Sequence, residues 1–321
     1  MNPRTCVVIP FYQREPGPLA RALASVRAQT GVACPQVIVV DDGSPLPARP
    51  IIAAHFGPCN DIQVIEQANA GAAAARNTGL DACPDDVAFI AFLDSDDEWS
   101  PAHLANAQDA MSLGADMYFA DHQRPEWPTG KLAGLTAVLA SQPRAESGAG
   151  LYELAGNVAE LIFIQHIIQT SSVVLRRAAV EDLRFRRDLI LGEDEVYWLE
   201  AARRSRKVLF STRLDVRMGQ GVNISQNLAG DPARELRLTA KNIYFWNRVL
   251  GYLPGEVGLA AIRSSRLELL DQGYAATLLA AIRQRNAPSL TEVWDVTRQR
   301  PQWIGAAVGL ILQKAVGALT S

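Results

Sequence analysis

The first hundred residues alternate short apolar runs with stretches of helical periodicity. Thr5 to Pro10 is a β-branched run of the kind that forms a fully buried strand, and Gln36 to Val40, the weaker Ile62 to Ile65, and Val87 to Leu93 repeat the signal. Between them, Leu19, Leu23 and Val26 share one face of a helix predicted over about Pro18 to Gln29, and the alanine run that opens at Ala72 predicts another. Strands alternating with helices at this spacing imply right-handed β-α-β crossovers, an α/β class and a mostly parallel sheet.

Further along, Ser100-Pro101 reads as the N-cap and first residue of a helix. Residues 123 to 150 are rich in Pro, Gly and small side chains and read as a variable loop region. Helical periodicity resumes over Tyr152 to Ile168, and Thr170 to Leu175 reads as a strand. Gly192 then makes a turn before an amphipathic helix opened by Glu193, Asp194 and Glu195. Arg206 to Ser211 reads as a strand, Val216 to Ser225 as a flexible loop, and everything from about Asp231 as helix. The last segment, Trp303 to Leu319, is apolar except for Gln313 and Lys314. Two readings stay open for it: a helix packed on the rest of the protein, or one docked on a membrane surface with Arg298, Arg300 and Trp303 on its flank.

Composition narrows the function classes. The chain has 321 residues, 48% hydrophobic and 20% charged, which suits a globular protein with a substantial core. A net charge of -3, with no basic stripe carrying interleaved aromatics, argues against a nucleic-acid partner. The arginine clusters at 184 to 187 and 203 to 207 read as solvated faces. Cys6, Cys34, Cys59 and Cys83 show no metal or C-x-x-C spacing, so a reduced, cytoplasmic setting is expected, with Cys6 in the core. No leader-like segment precedes the first strand, and no run of 18 apolar residues predicts a membrane span.

The chemistry concentrates where apolar runs end. Phe89-Ile90-Ala91-Phe92-Leu93 stops in Asp94-Ser95-Asp96-Asp97, three carboxylates within four residues, and Val39-Val40 stops in Asp41-Asp42-Gly43-Ser44. In a parallel sheet both clusters face one crevice at the carboxyl ends of the strands, where open α/β sheets bind ligands. Crowded carboxylates repel one another unless a cation joins them, and their hard oxygens suit Mg2+ or Mn2+. A haloacid dehalogenase-type phosphatase also ends a strand in D-x-D, but Glu98 stands where that class wants Thr or Val. Gln13-Arg14-Glu15-Pro16-Gly17 is a poor match for the loop of a sugar nucleotidyltransferase.

Taken in order, the blocks resemble the inverting glycosyltransferases of family 2, which have the GT-A fold. Val7-Val8-Ile9-Pro10-Phe11-Tyr12, Val39-Val40-Asp41-Asp42-Gly43-Ser44, Asn69-Ala70-Gly71 with Ala75-Arg76-Asn77, Phe92 to Trp99, and Gly192-Glu193-Asp194 carry the likeness, over roughly the first 225 residues. The resemblance implies a GT-A domain over 1-225, with a nucleotide-sugar-binding half at 1-122 and an acceptor half at 123-225. A helical region at 226-321 follows. It implies that Asp42 bonds the nucleotide base with Pro10 and Tyr12 beside it, and that Arg76, Asp94, Ser95 and Asp96 face the donor. Asp96, with Asp94, is the implied ligand of Mn2+ or Mg2+, Asp194 is the general base with Glu193 and Glu195 as alternatives, and Arg217 is a pyrophosphate partner on a closing loop. The expected partners are a UDP-sugar donor and a saccharide or lipid-linked acceptor for a surface polysaccharide, at the inner face of the cell membrane. A non-catalytic nucleotide-sugar-binding protein is the alternative.

Overall fold

Buried β-branched runs form the centre of the structure, as their sequence requires. A computed structural model describes residues 3–15, 17–57, 61–124, 128–145, 150–189, 191–219, 232–256, 258–286 and 288–320, with side chains to 313. The strands are β1 (Thr5–Phe11), β2 (Gln36–Asp42), β3 (Ile62–Gln67), β4 (Phe89–Phe92), β5 (Glu98–Trp99), β6 (Met117–Gln123), β7 (Leu151–Glu153), β8 (Val174–Arg176) and β9 (Val208–Arg217). The helices are α1 (Pro18–Arg27), α2 (Ala48–Phe56), α3 (Ala72–Asp81), α4 (His103–Ser112), α5 (Lys131–Gly134), α6 (Thr136–Ser141), α7 (Val158–Phe163), α8 (Arg177–Val180), α9 (Glu193–Arg204), α10 (Pro232–Tyr252), α11 (Leu259–Arg283), α12 (Leu290–Gln299) and α13 (Trp303–Thr320).

The strands form one sheet in the order β3-β2-β1-β4-β8-β6-β9-β5, with β7 also on β9. β1 pairs in parallel with β2 and β4, β2 with β3, and β6 with β9. Because β8 is antiparallel to both β4 and β6, these six strands run the same way; β5 and β7 oppose β9. Pro10 has no N–H to donate, and it lies beyond Val8, the last residue of β1 paired with β4, so the ladder loses nothing there. On α1 the predicted face of Leu19, Leu23 and Val26 is buried in the core. Gly79 lets α3 lie directly on β1: a Cβ there would stand 2.3 Å from Val8 Cγ1.

Five expectations are corrected. α1 ends at Arg27 rather than Gln29, and β2 and β3 extend two residues further than their apolar runs. Ser100 caps no helix: Glu98–Trp99 pairs with β9 as a short strand, the Ser100 N–H and hydroxyl both donate to Asp215, and α4 starts only at His103. The helix read over Tyr152 to Ile168 is instead β7 followed by α7, since Gly156 turns the chain at φ +86 and Asn157 caps the helix through the Glu160 N–H. Thr170–Ser172 is a 3-10 turn and only Val174–Arg176 is strand. β9 continues through Arg217, so that residue sits on a strand and not on a loop; the rest of the predicted loop, 220 to 225, lies outside the described residues.

The chain divides into two compact units, Met1–Asp188 with Glu193–Val222, and Leu189–Gly192 with Asn223–Ser321. In the second, helices α10 to α13 enclose Leu236, Ile243, Tyr274, Leu278 and Val296. α13 packs Ala306, Ala307 and Leu310 against this cluster, while Ile304, Val308, Ile311 and Leu312 are 44–59% exposed. Two of the three flanking residues expected at a membrane turn inward: Trp303 is buried against Tyr274, and Arg300 is paired with buried Asp271 at 2.8 Å. No helix among the described residues is long and apolar enough to cross a membrane.

Candidate active site

Parallel strands deliver their carboxyl ends to one edge, and the predicted residues sit there in register. Pro10 lies on β1 opposite Val40 of β2, and half-buried Tyr12 follows the strand end. Asp42 ends β2 beside Gln67 of β3. Its buried carboxylate accepts from Gln67 Nε2 at 2.7 Å and from the N–H groups of Ala70 and Gly71, each at 2.8 Å. Asp42 thereby caps the entry to α3, where unpaired amides and the helix dipole favour a negative charge. Neighbouring Asp41 is spent on its own turn, accepting from the N–H groups of Ser44 and Ala48.

Just over one turn into α3, Arg76 brings the distant blocks together. Its guanidinium donates from Nη2 to Asp94 Oδ1 at 2.9 Å and from Nη1 to Glu193 Oε1 at 3.3 Å, with its side chain 6% exposed. It also lies 5.4 Å above the ring of Phe185, which Asn77 holds by a pair of hydrogen bonds to its backbone. Burial alone would lower the arginine's pKa, but Asp94, Glu193 and Asp194 reverse this and leave it raised.

The carboxylates of the D-x-D block separate into two groups. Asp94 and Asp96 are half-buried, while Asp97 turns inside and accepts from Ser171 Oγ at 2.6 Å, Gln169 Nε2 at 3.0 Å and the Gly219 N–H at 2.8 Å. Burial and the charges of Asp94 and Asp96 push the Asp97 carboxyl up to about 8 against those donors. Ser171 Oγ also accepts from the Asp94 N–H, so one hydroxyl orders the whole turn. The side chain of Ser95 points inward, accepting from buried Gln13 at 3.1 Å.

At the start of α9 the three acids also diverge. Glu193 is bound to Arg76; burial and adjacent Asp194 push it up to about 7 even so. Glu195 lies 2.6 Å from His166 Nδ1. Asp194 accepts from the Glu195 N–H at 2.9 Å and the Thr170 hydroxyl at 3.5 Å, and enters no ion pair among the described residues. Arg217 stands apart from this cluster in its contacts: it is exposed on β9, opposite Glu98 on one side and Gln123 on the other. Gln13, Gln169, Ser171, Phe185 and Gly219 were not among the predicted site residues. Only Gly219, in Gly219-Gln220-Gly221, carried a visible signal of close backbone approach.

Asp94 and Asp96 offer the hard oxygens that Mg2+ or Mn2+ prefers. No group of three or more His, Cys, Asp or Glu able to hold an ion occurs among the described residues. Two carboxylates fit an ion that a ligand's own oxygens complete rather than a closed structural centre. A cavity of about 890 Å3 opens on the other side of α3, lined by residues including Gln67, Asn77, Arg184 and Arg204, and contains none of the D-x-D carboxylates. It borders the site through Gln67 and Ala70, both bonded to Asp42, and through Phe185 beneath Arg76.

Comparisons with known proteins give the family and the fold. The family model described as Glycosyl transferase family 2 matches residues 6–182. The chain is 36% identical to the succinoglycan biosynthesis protein ExoW of Rhizobium meliloti, across 96% of this chain and 98% of that protein. The solved mannosyltransferase PcManGT from Pyrobaculum calidifontis, in complex with GDP-Man and Mn2+, is similar over 98% of this chain and 88% of its own, with a TM-score of 0.58 at 18% identity. S. aureus TarS 1-349 in complex with UDP-GlcNAc is similar over 95% of this chain and 81% of its own, with a TM-score of 0.55 at 17% identity. At these identities the two structures bear on the fold alone.

Proposed function

The chain belongs to glycosyl transferase family 2 and is a glycosyltransferase of the GT-A fold, and on that footing we propose that it moves a sugar from a UDP-sugar to a saccharide or lipid-linked saccharide, with inversion, in surface polysaccharide biosynthesis. The observation that carries the proposal is Arg76, which joins the D-x-D block to the acidic start of α9, its partner Glu193 lying 117 residues further along the chain. A shared buried cation holds the two blocks close enough to work on one ligand. The exopolysaccharide role rests on the ExoW likeness, and the UDP donor on the family resemblance, with TarS, of similar fold, as an example that binds UDP and UDP-GlcNAc.

In this reading Pro10 and Tyr12 flank the base, and Asp42 orders the turn beside it while keeping acceptor capacity for the base. Asp94 and Asp96 would hold a Mn2+ or Mg2+ ion together with the diphosphate, and that ion supplies positive charge toward the departing nucleoside diphosphate. Arg76 fixes Asp94, and the positive end of α3 lies alongside. Asp194 takes the proton of the acceptor hydroxyl. A carboxylate is a weak base for an alcohol, but the hydroxyl acidifies as its oxygen bonds the anomeric carbon, so position outweighs resting pKa. Glu193 and Glu195 are committed to Arg76 and His166, which favours Asp194 among the three. Attack opposite the leaving group inverts the anomeric centre, so an α-linked donor yields a β-linked product. Arg217 remains a proposed diphosphate partner from its strand.

The exposed apolar face of α13 supports a peripheral membrane contact by the 226-321 region, and in this reading the membrane is the inner face of the cell membrane and the acceptor lipid-linked. Incubation with UDP-glucose, UDP-GlcNAc and GDP-mannose in turn tests the donor class. Mn2+-dependent release of UDP, abolished by EDTA, is expected with one of the UDP-sugars. Turnover of GDP-mannose alone, or release unaffected by EDTA, contradicts it.

A further inference from the structure

Two buried thiols outside the site meet because of how α3 lies on β1. Gly79 touches Val8, as described; Cys6 is two residues before Val8 and so on the same face of the strand. Cys83 is four residues after Gly79 and so on the same side of the helix, a phase kept beyond its last turn by the Cys83 N–H bonding Leu80 C=O at 3.3 Å. The two periods bring Cys83 Sγ to 2.9 Å from Cys6 Sγ, with Cys6 fully buried and Cys83 6% exposed. Both thiols are free, and a shift of about 1 Å would bring the sulfurs to bonding distance.

We propose that Cys6 and Cys83 form an oxidation site at which a peroxide closes an intramolecular disulfide between β1 and the end of α3. Cys83 is the readier nucleophile: the contact with Cys6 Sγ, with Arg177 and Arg184 nearby, lowers its pKa against burial and Asp81, while that of Cys6 is raised. Its sulfur attacks the peroxide, breaking the O–O bond and forming a sulfenic acid with release of hydroxide. Cys6 then attacks that sulfur, forming the S–S bond; its proton leaves with the displaced hydroxide as water, so the pair loses two electrons and the peroxide gains them. The bond closes a loop containing α1, β2, α2, β3 and the whole of α3. Long loops gain most from such a staple. The site needs neither donor nor metal, and its readouts are covalent and thermal, so its failure and that of the transferase reading are separable.

The test uses the full chain carrying Cys34→Ser and Cys59→Ser, treated while folded with hydrogen peroxide. The expected result is loss of both remaining thiols, a dithiothreitol-sensitive peptide linking Cys6 to Cys83, and a Tm higher than in the reduced sample. Cys83→Ser in the same background should lose the cross-link and the Tm gain. Thiols that persist after treatment, or Cys83 oxidised to sulfinic acid with Cys6 left unlinked, would overturn the proposal.

Discussion

Arg76 is a buried cation whose cost is met by Asp94 and Glu193, and removing it leaves two half-buried acids without their shared cation. Loss of one partner from such a buried group costs about 3–5 kcal/mol. Arg76→Ala should therefore fall by about that much in urea unfolding and lose donor hydrolysis. Arg76→Lys restores the charge but not the fork that reaches two carboxylates, so it should recover stability in part and activity little. Glu193 makes a second prediction. Its folded pKa, raised to about 7 from an ordinary 4.5, means the folded state binds more protons than the unfolded state between those values. Stability contributed there is present at low pH and is lost as pH rises through 7. Glu193→Gln should flatten that fall: comparing melts at pH 5 and pH 8, the variant loses less Tm than the parent, and an equal loss would refute the assignment. At this scale Asp94, Asp96 and Asp194 were legible as acids ending an apolar run or opening a helix, and Arg76 only through the family resemblance. Their pairing was not, since the partner of Arg76 in α9 is 117 residues away and no local pattern encodes it.

Elements fix how these residues approach. The D-x-D turn is held from below by Ser171 and Gln169 and from above by the chain leaving β9, where the Gly219 N–H donates to Asp97. A Cβ at Gly219 would stand 1.9 Å from the Asp96 carbonyl oxygen, a clash with backbone that no side-chain rotation relieves. Gly219→Ala should thus displace Asp96 and lower donor hydrolysis by about 100-fold or more, the size expected when catalytic groups move by about 1 Å. Retention of wild-type turnover would show that this turn does not bear on the reaction. Strands β1, β2 and β4 were readable because consecutive β-branched or aromatic residues are buried on both faces. β9 was readable only in its first residues, since Thr212, Arg213 and Leu214 lie on its exposed part. Ser100 misled because Asp215, distant in sequence, holds both its hydroxyl and its backbone N–H beside β9, and the helix starts three residues later.

On the scale of the molecule, each unit has its own core, and the two readings left open for the last helix both have physical content. One face of α13 packs on its own helical unit and the other presents Ile304, Val308, Ile311 and Leu312 to solvent. The proposed membrane contact would use this face. Replacing Ile304, Val308 and Ile311 with serine should release the protein from phosphatidylglycerol vesicles in a flotation assay while leaving its melting curve nearly unchanged; equal flotation of variant and parent would exclude this face. The helical character of this region was legible from periodicity, but which face packs depends on partners in α10 and α11 that pattern alone does not choose.

The central claim is that Asp194 acts on the acceptor side of a donor held by Asp94, Asp96 and Arg76. Asp194→Asn keeps the side chain's shape and removes its basicity, so its UDP binding and its sugar transfer, measured on one preparation with Mn2+ present, test that division most directly. The account predicts UDP affinity within about twofold of the parent and transfer reduced by at least about 100-fold, the usual worth of a positioned base. Transfer near the parental rate, or UDP binding lost together with it, would contradict it.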